Sequence, residues 1–325
     1  MRLFVLDGSE ELGNAIATAM GIVPDAHEKR DFEDGEHKAR PLVSVRGEDV
    51  FVVHALNGDL ERSPNDKLIH LLFFLATCRE NGAACVTAIV PVLAYARKDR
   101  QTKLRDPVTT RYIAQLFEAV GVDRVVTLDV HNLSAFQNAF RCPTLHLNTN
   151  MLFAGNIAKR AVAQSIVIFS PDGGGVKRAQ LLKDCLEEIT GRAIGFGFME
   201  KRRSGSIVSG ELFAGDVDGA TVFIVDDMIS TGGTLLRAAT ACRTHGAKKV
   251  FAYATHALFG ENAKAMLADP AFDRIVVTDS VGCARLSRAL LSNYVDIIPS
   301  APLFAEAILR LHGGGPFHHL QSNGP

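Results

Sequence analysis

The sequence predicts an α/β fold of two tandem domains, each a mostly parallel sheet flanked by helices. Three observations carry this. Short runs such as VFVV from Val50 and VFIV from Val222 are apolar on both faces, as strands buried between helical layers are. Apolar stretches of helical length alternate with them, which is the βαβ pattern of a parallel sheet. The pattern also occurs twice. Leu71-Leu72 opens a helix that runs through Cys78-Arg79 to Gly82-Ala83 and on to a strand with Val86 and Ala88. Leu235-Leu236 opens another, through Cys242-Arg243 to Gly246-Ala247 and then Val250 and Ala252, each residue 164 positions from its counterpart. VDRVVTLD from Val122 matches FDRIVVTD from Phe272 in the same order, so the chain reads as a duplication.

Composition bounds the rest. The chain has 325 residues, 47% of them hydrophobic, enough for two cores of ordinary size. A formal net charge of −1 gives no surface for nucleic acid or membrane, and neither partner is expected. No apolar window reaches transmembrane length, and MRLFVLDG enters a strand pattern at once, so no secretory leader and a cytoplasmic location are expected. Six scattered cysteines without a CxxC predict buried thiols rather than disulfides or a zinc site.

The elements follow in order. MRLFVLDG begins with a strand, and Asp34-Gly35-Glu36 in DFEDGE makes a turn. VFVV is a buried strand, followed by the helix from Leu71. Residues 90–105, VPVLAYARKDRQTKLR, end a strand in a cluster of Arg97, Lys98, Asp99, Arg100, Lys103 and Arg105, whose arginines suit bidentate phosphate contact. VVTLDVH puts His131 just past a strand end, where ligands bind in α/β sheets. The break between domains is expected at 149/150, giving an N-terminal domain of residues 1–149 and a C-terminal domain of 150–312. The Gly-, Pro- and polar-rich 313–325 reads as a frayed tail in which His318 and His319 have no functional role.

In the second domain, SPDGGGVKRAQLL reads as strand, glycine turn and helix: an anion cradle built from Asp172, Gly173, Gly174 and Gly175. No GxxxxGK[ST] occurs, so it is not a Walker loop. Lys201, Arg202 and Arg203 beside Ser204-Gly205-Ser206 read as a mobile cationic loop that closes over substrate. In VFIVDDMISTGGTL, Val222–Val225 reads as a strand, 226–234 as a loop and 235–243 as a helix. Gly232 and Gly233 let the backbone approach a ligand, and the helix start offers N–H groups to a phosphate. Thr231 and Thr234 add hydroxyl donors. Asp226 and Asp227 would repel a bare phosphate, so sugar hydroxyls or a magnesium ion suit them. A phosphorylated ribose satisfies both halves of the run.

The run resembles the ribose-phosphate loop of phosphoribosyltransferases and of ribose-phosphate pyrophosphokinases. FxDGE, SVRGxDVF, YARxDR, a DxH segment, SPDxGGVxRA, KRR and DDMxxTGGT occur in the order found in the pyrophosphokinases, over nearly the whole chain. The resemblance implies two domains of type I phosphoribosyltransferase fold related by a pseudo-twofold. It implies transfer of the β,γ-diphosphoryl group of ATP to the anomeric hydroxyl of ribose 5-phosphate. It further implies Mg2+ as cofactor and a homo-oligomer, dimer or higher. Residue by residue, it places Phe32, Asp34, Gly35 and Glu36, with Arg97, Lys98 and Asp99, on ATP. His131 and Asp172 fall on magnesium, and Asp172 with Gly173 through Gly175 on pyrophosphate. Lys201 and Arg203 become catalytic, and Asp226, Asp227 and Ser230 through Thr234 bind ribose 5-phosphate. The family usually carries glutamine at Lys98 and aspartate at Ser230, and NLSAFQNAF after His131 is one residue longer, which marks a divergent branch. Two alternatives stay open: a non-catalytic regulatory relative, and a phosphoribosyltransferase that consumes the diphosphate.

Overall fold

Apolar runs bounded by Gly, Asn and Pro become the strands, and the first half of the chain alternates them with helices. The structure, a computed structural model, describes residues 1–161, 165–204, 207–260, 263–283 and 285–317, without the side chains of 201–204 and 207–211. In order come β1 (Arg2–Val5), α1 (Glu10–Met20), β2 (His27–Asp31), β3 (His37–Pro41), β4 (Asp49–Val53), α2 (Pro64–Glu80), β5 (Cys85–Val90), α3 (Thr109–Ala119), β6 (Arg124–Leu128), α4 (Leu133–Ala139) and β7 (Thr144–Leu147). The second half supplies α5 (Asn150–Arg160), β8 (Ile166–Ser170), α6 (Val176–Thr190), β9 (Gly195–Ser204), β10 (Ile207–Ala214), β11 (Thr221–Ile229), α7 (Gly233–Thr244), β12 (Lys249–Ala257), α8 (Ala263–Leu267), β13 (Arg274–Thr278), α9 (Arg288–Tyr294), β14 (Val295–Ile298) and α10 (Ala301–Gly313).

Contacts divide these elements into two units. The first holds a five-stranded sheet of order β1-β4-β5-β6-β7, parallel throughout, and the β2–β3 hairpin. The second holds a seven-stranded sheet of order β10-β9-β8-β11-β12-β13-β14, parallel except for β10 at its edge. The two α/β sheets agree with the predicted fold class.

The duplication is visible atom by atom. Asp123 accepts from Arg79 Nη1 at 3.0 Å and from the Val86 amide at 2.7 Å. Asp273 accepts from Arg243 Nη2 at 2.6 Å and from the Val250 amide at 2.7 Å. The same carboxylate thus ties the same helix end to the same strand start in both units. Register extends the match. Phe4 pairs with Val52 in the first sheet and Phe169 with Ile224 in the second, so Asp7 is the counterpart of Asp172 and His54 of Asp226.

One expectation is corrected. Residues 300–312 were assigned to the second domain by their place in the chain, but α10 packs on the first unit. Phe4, Val50 and Val52 face α2, while Leu3, Val5, Phe51 and Val53 face the opposite layer. That second layer needs two helices, and α1 supplies one through Leu12 and Ile16. The other is α10, whose Phe304 and Ile308 are fully buried. In the second unit, α5 fills the same place beside α6, with Phe153 and Ile157 against Leu182 and Leu186. Residues 318–325, with His318 and His319, lie outside the described residues. Cys78, Cys185 and Cys242 are fully buried, as expected, while Cys85 and Cys142 are half-buried. Among the described residues, no helix is long and apolar enough to cross a membrane.

Candidate active site

Strand order points to one place in the second unit. After β8 the chain moves outward to β9 and β10, then returns to lay β11 on the other side of β8. β8 and β11 are therefore neighbouring parallel strands at which the connections change direction, and ligands bind beyond the carboxyl ends of such strands. The loops that follow these two strands are the two glycine-rich runs read from the sequence.

The first loop joins β8 to α6. Its turn is held by Asp172, whose Oδ1 accepts from the Gly175 amide at 3.0 Å, and by Ser170 Oγ donating to the Asp172 carbonyl at 2.7 Å. A Cβ on Gly175 would come within 2.8 Å of Ser170 Oγ, so only glycine fits there. Asp172, Gly173 and Gly174 are exposed, and no side chain caps α6. The N–H groups of its first turn are therefore open to an anion. Glu200 on β9 borders this loop, its Oε1 3.6 Å from where a Cβ on Gly173 would lie.

The second loop follows β11, which is longer than expected. The strand continues past Val225 to Ile229, with Asp226 opposite Ala254 and Met228 opposite His256 on β12. Asp226 and Asp227 thus lie inside a ladder rather than in a loop, and the backbone pairing fixes their direction. The loop itself is only 230–232. The Ser230 carbonyl accepts from the Gly260 amide at 2.8 Å. Gly232 adopts φ 77°, and a Cβ there would meet Met266 Cε at 2.4 Å. α7 begins at Gly233 with no side-chain cap and no acid in its first turn, and Thr231 and Gly233 are exposed beside it. The cradle is bare, the arrangement a phosphate needs.

The carboxylates beside it are electrostatically unusual. Asp227 is 2% exposed, and its amide donates to Asp226 Oδ1 at 2.9 Å. Burial is the main reason the Asp226 carboxyl is pushed up, and the neighbouring Asp227 carboxyl adds to it. Arg178 opposes both, with Nη1 3.7 Å from Asp226 Oδ1 and 3.8 Å from Asp227 Oδ1. Arg178 lies in the first turn of α6, so it links the two loops. The sequence reading passed over it. The signal was a cation in a first helical turn, where the helix dipole disfavours one.

Lys201 and Arg203 are placed by backbone alone. The expected loop is, over 201–204, the end of β9, paired antiparallel with β10 through Lys201–Glu211 and Arg203–Val208. The reason is the partner IVSGELFA, whose Ile207, Val208 and Phe213 suit a strand and which offers these residues a ladder. Their side chains, and residues 205–206, lie outside the described residues.

The remaining candidates belong to the first unit. Phe32, Asp34, Gly35 and Glu36 form the exposed tip of the β2–β3 hairpin, closed by the Phe32 amide donating to the Glu36 carbonyl at 2.8 Å. Phe32 is 42% exposed, with the Arg30 guanidinium 5.2 Å from its ring. Arg97 is exposed beyond β5. Lys98 is occupied within its own loop, pairing with Asp106 and donating to Thr102 Oγ1 at 3.0 Å. Asp99 accepts from Asn132 Nδ2 at 2.5 Å, which ties this loop to the segment after β6. There His131 is exposed, after Asp129 at φ 39°. His131 is therefore not a core histidine. It belongs to the first unit and Asp172 to the second.

Among the described residues, no three His, Cys, Asp or Glu side chains gather as a metal cage. A Mg2+ ion held mainly by substrate phosphates takes only one or two protein carboxylates, and the exposed Asp172 could serve as one.

Comparison with known proteins fits this geometry. The N-terminal domain of ribose phosphate pyrophosphokinase matches residues 1–121, and the phosphoribosyl synthetase-associated domain matches residues 211–321. The ribose-phosphate pyrophosphokinase of Pasteurella multocida is 36% identical over 314 residues, covering 96% of each chain. That of Caldanaerobacter subterraneus is 33% identical over 315 residues, covering 97% of this chain and 95% of the relative. The crystal structure of phosphoribosylpyrophosphate synthetase from Mycobacterium smegmatis is similar with a TM-score of 0.86 and 30% identity, covering 97% of this chain and 99% of that one. With similarity of this extent along the whole of both units, the chain belongs to the ribose-phosphate pyrophosphokinase family.

Proposed function

We propose that the protein joins ribose 5-phosphate and ATP to give 5-phosphoribosyl 1-diphosphate and AMP. The observation that carries this is the pair of bare helix starts, α6 and α7, on neighbouring strands at the switch point, with Asp226 and Asp227 beside them. One cradle takes the sugar phosphate and the other the diphosphate, and the carboxylates accept from the ribose hydroxyls. The anomeric oxygen forms a bond to the β-phosphorus and gives up its proton to solvent, the bond from that phosphorus to the α,β-bridging oxygen breaks, and AMP leaves with the electron pair. Catalysis of this kind rests on positioning and charge neutralisation.

The finer assignments are part of the same reading. Phe32, Asp34, Gly35 and Glu36 would hold the adenine, and Arg97 and Asp99 the nucleotide's remaining contacts. Lys98 supports the loop through Asp106 in addition to any contact with ATP. Lys201 and Arg203 would neutralise charge building on the transferred group. Ser230 through Thr234 would hold the sugar phosphate. Mg2+, held by His131 and Asp172 together with the phosphates, would neutralise phosphate charge when bound. The protein would work in the cytoplasm as a homo-oligomer.

The test is release of AMP from ATP, measured with and without ribose 5-phosphate and with no acceptor base present. AMP formed only with the sugar phosphate is the expected result. Its absence would leave the regulatory relative as the better reading, and activity that requires an acceptor base would point to a phosphoribosyltransferase.

A further inference from the structure

Arg178 breaks a local rule. Positions 176–178 open α6, yet they carry Lys177 and Arg178 and no acid, where the helix dipole favours acids. Departures of this kind gather at functional sites. The compensation lies across the strand boundary: the Arg178 side chain, 20% exposed, sits between the two carboxylates at the end of β11.

The distances say what kind of contact this is. At 3.7 and 3.8 Å, Arg178 Nη1 is too far to hydrogen-bond either Oδ1. It attracts both without occupying the lone pairs that sugar hydroxyls need. Burial and their mutual repulsion favour a proton on the two adjacent carboxylates, one of them 2% exposed, and the Arg178 charge opposes that. The charged groups acting on Asp226 are Asp227 on its own strand and Arg178 from α6. His256 on β12, Asp172 in the β8–α6 loop and Glu200 on β9 are further ionisable groups on the surrounding elements.

Resting on the functional reading above, we propose that Arg178 is a positioning residue for ribose 5-phosphate: it acts through Asp226 and Asp227, its charge directed at both as they accept from the sugar hydroxyls. Because α6 also frames the diphosphate cradle, the same side chain couples the two halves of the site.

The test measures binding of ribose 5-phosphate alone by calorimetry from pH 5.5 to 9, on the wild type, Arg178→Gln and Arg178→Lys. Loss of one shared Coulomb contact should weaken binding by Arg178→Gln about tenfold at pH 7 and move the rise in affinity to higher pH. A contact without directed hydrogen bonds accepts a point charge, so Arg178→Lys should restore most of the affinity. In an Asp226→Asn/Asp227→Asn background, Arg178→Gln should cost little more. Wild-type affinity and pH profile in Arg178→Gln overturn the inference. So does weakening without a pH shift, or weakening that Arg178→Lys leaves in place, since either marks a packing role. A wild type that binds no ribose 5-phosphate at any pH removes the functional reading and this inference together.

Discussion

The two units are copies that treat the same two helix starts in opposite ways. In the second unit, α6 and α7 begin without acids and without side-chain caps. In the first, the protein supplies the anions itself. The Gly8 amide, counterpart of Gly173, donates to the Glu10 carboxylate at 2.8 Å. α2, counterpart of α7, starts with a capping box in which the Ser63 amide donates to Asp66 Oδ2 at 2.8 Å. Where the second unit has Asp226, the first has His54, fully buried, with Nδ1 3.2 Å from Ser9 Oγ. Lys67, 1% exposed, pairs with Asp59 at 2.6 Å, and its Nζ lies 3.2 Å from where a Cβ on Gly8 would be. A phosphate cradle and a closed helix start thus differ by whether acids stand in the first turn, as Glu10 and Asp66 do in the first unit. The comparison teaches that the site was not erased by unfolding its scaffold; its anion positions were filled from within.

The sharpest way to separate the copies is through the second unit's chemistry. Lys201→Ala should lower turnover by about 10²–10³, comparable to loss of one preorganised donor, with Michaelis constants changed only a few-fold. Steady-state kinetics checks it, and normal turnover would strip β9 of a catalytic role. Next, Asp226→Asn/Asp227→Asn should raise the Michaelis constant for ribose 5-phosphate by about 30–100-fold and leave that for ATP nearly unchanged, since charge-assisted hydrogen bonds are lost. Equal loss for both substrates would place the pair on metal or on folding instead.

The first unit should answer differently. Lys67→Ala removes one partner of a pair that is only partly shielded on the Asp59 side, so the cost is about 2 kcal/mol of stability. Denaturant unfolding should show that loss while the Michaelis constant for ribose 5-phosphate stays put. A large kinetic effect would mean the closed copy is not merely structural.

The smallest effect concerns pH. The folded state raises the Asp226 carboxyl to about 8, so the native protein binds this proton more tightly than the unfolded chain. Its contribution to stability is complete below about pH 4, the ordinary aspartate value, and is lost as pH climbs through the folded value. Asp226→Asn should therefore melt about 2–4 °C higher than wild type at pH 8, with the gain shrinking toward pH 5. A gain that is constant with pH would assign it to something other than this ionisation.

Much of this was legible in the sequence, for identifiable reasons. VFIV and VFVV announced buried strands because they are apolar on both faces, and the repeated Arg79 and Arg243 helices announced the duplication. The glycine runs after β8 and β11 were readable as turns, and at Gly175 and Gly232 a side chain would collide with Ser170 and Met266. What escaped depended on partners distant in sequence. β11 runs through two aspartates because β12 offers it a ladder, and strand propensity alone would end it at Val225. Residues 201–204 pair because β10 lies opposite. Lys98 turned inward to Asp106, which its exposed-looking charge run concealed. Arg178 was quoted within a motif but gained meaning only when β11 was seen beside β8.

The place of α10 has a consequence for the order in which the chain is made. Domains generally fold as units as they leave the ribosome, N-terminal first. Here β1 is made long before α10, yet one layer of its sheet is covered by Phe304 and Ile308 of that helix. The first unit therefore waits with Leu3, Val5, Phe51 and Val53 only half sheltered by α1 until nearly the whole second unit has emerged. The second unit, whose α5 precedes its own strands, has no such delay. The copy that carries the ribose-phosphate loop, though made later, is the one able to finish first.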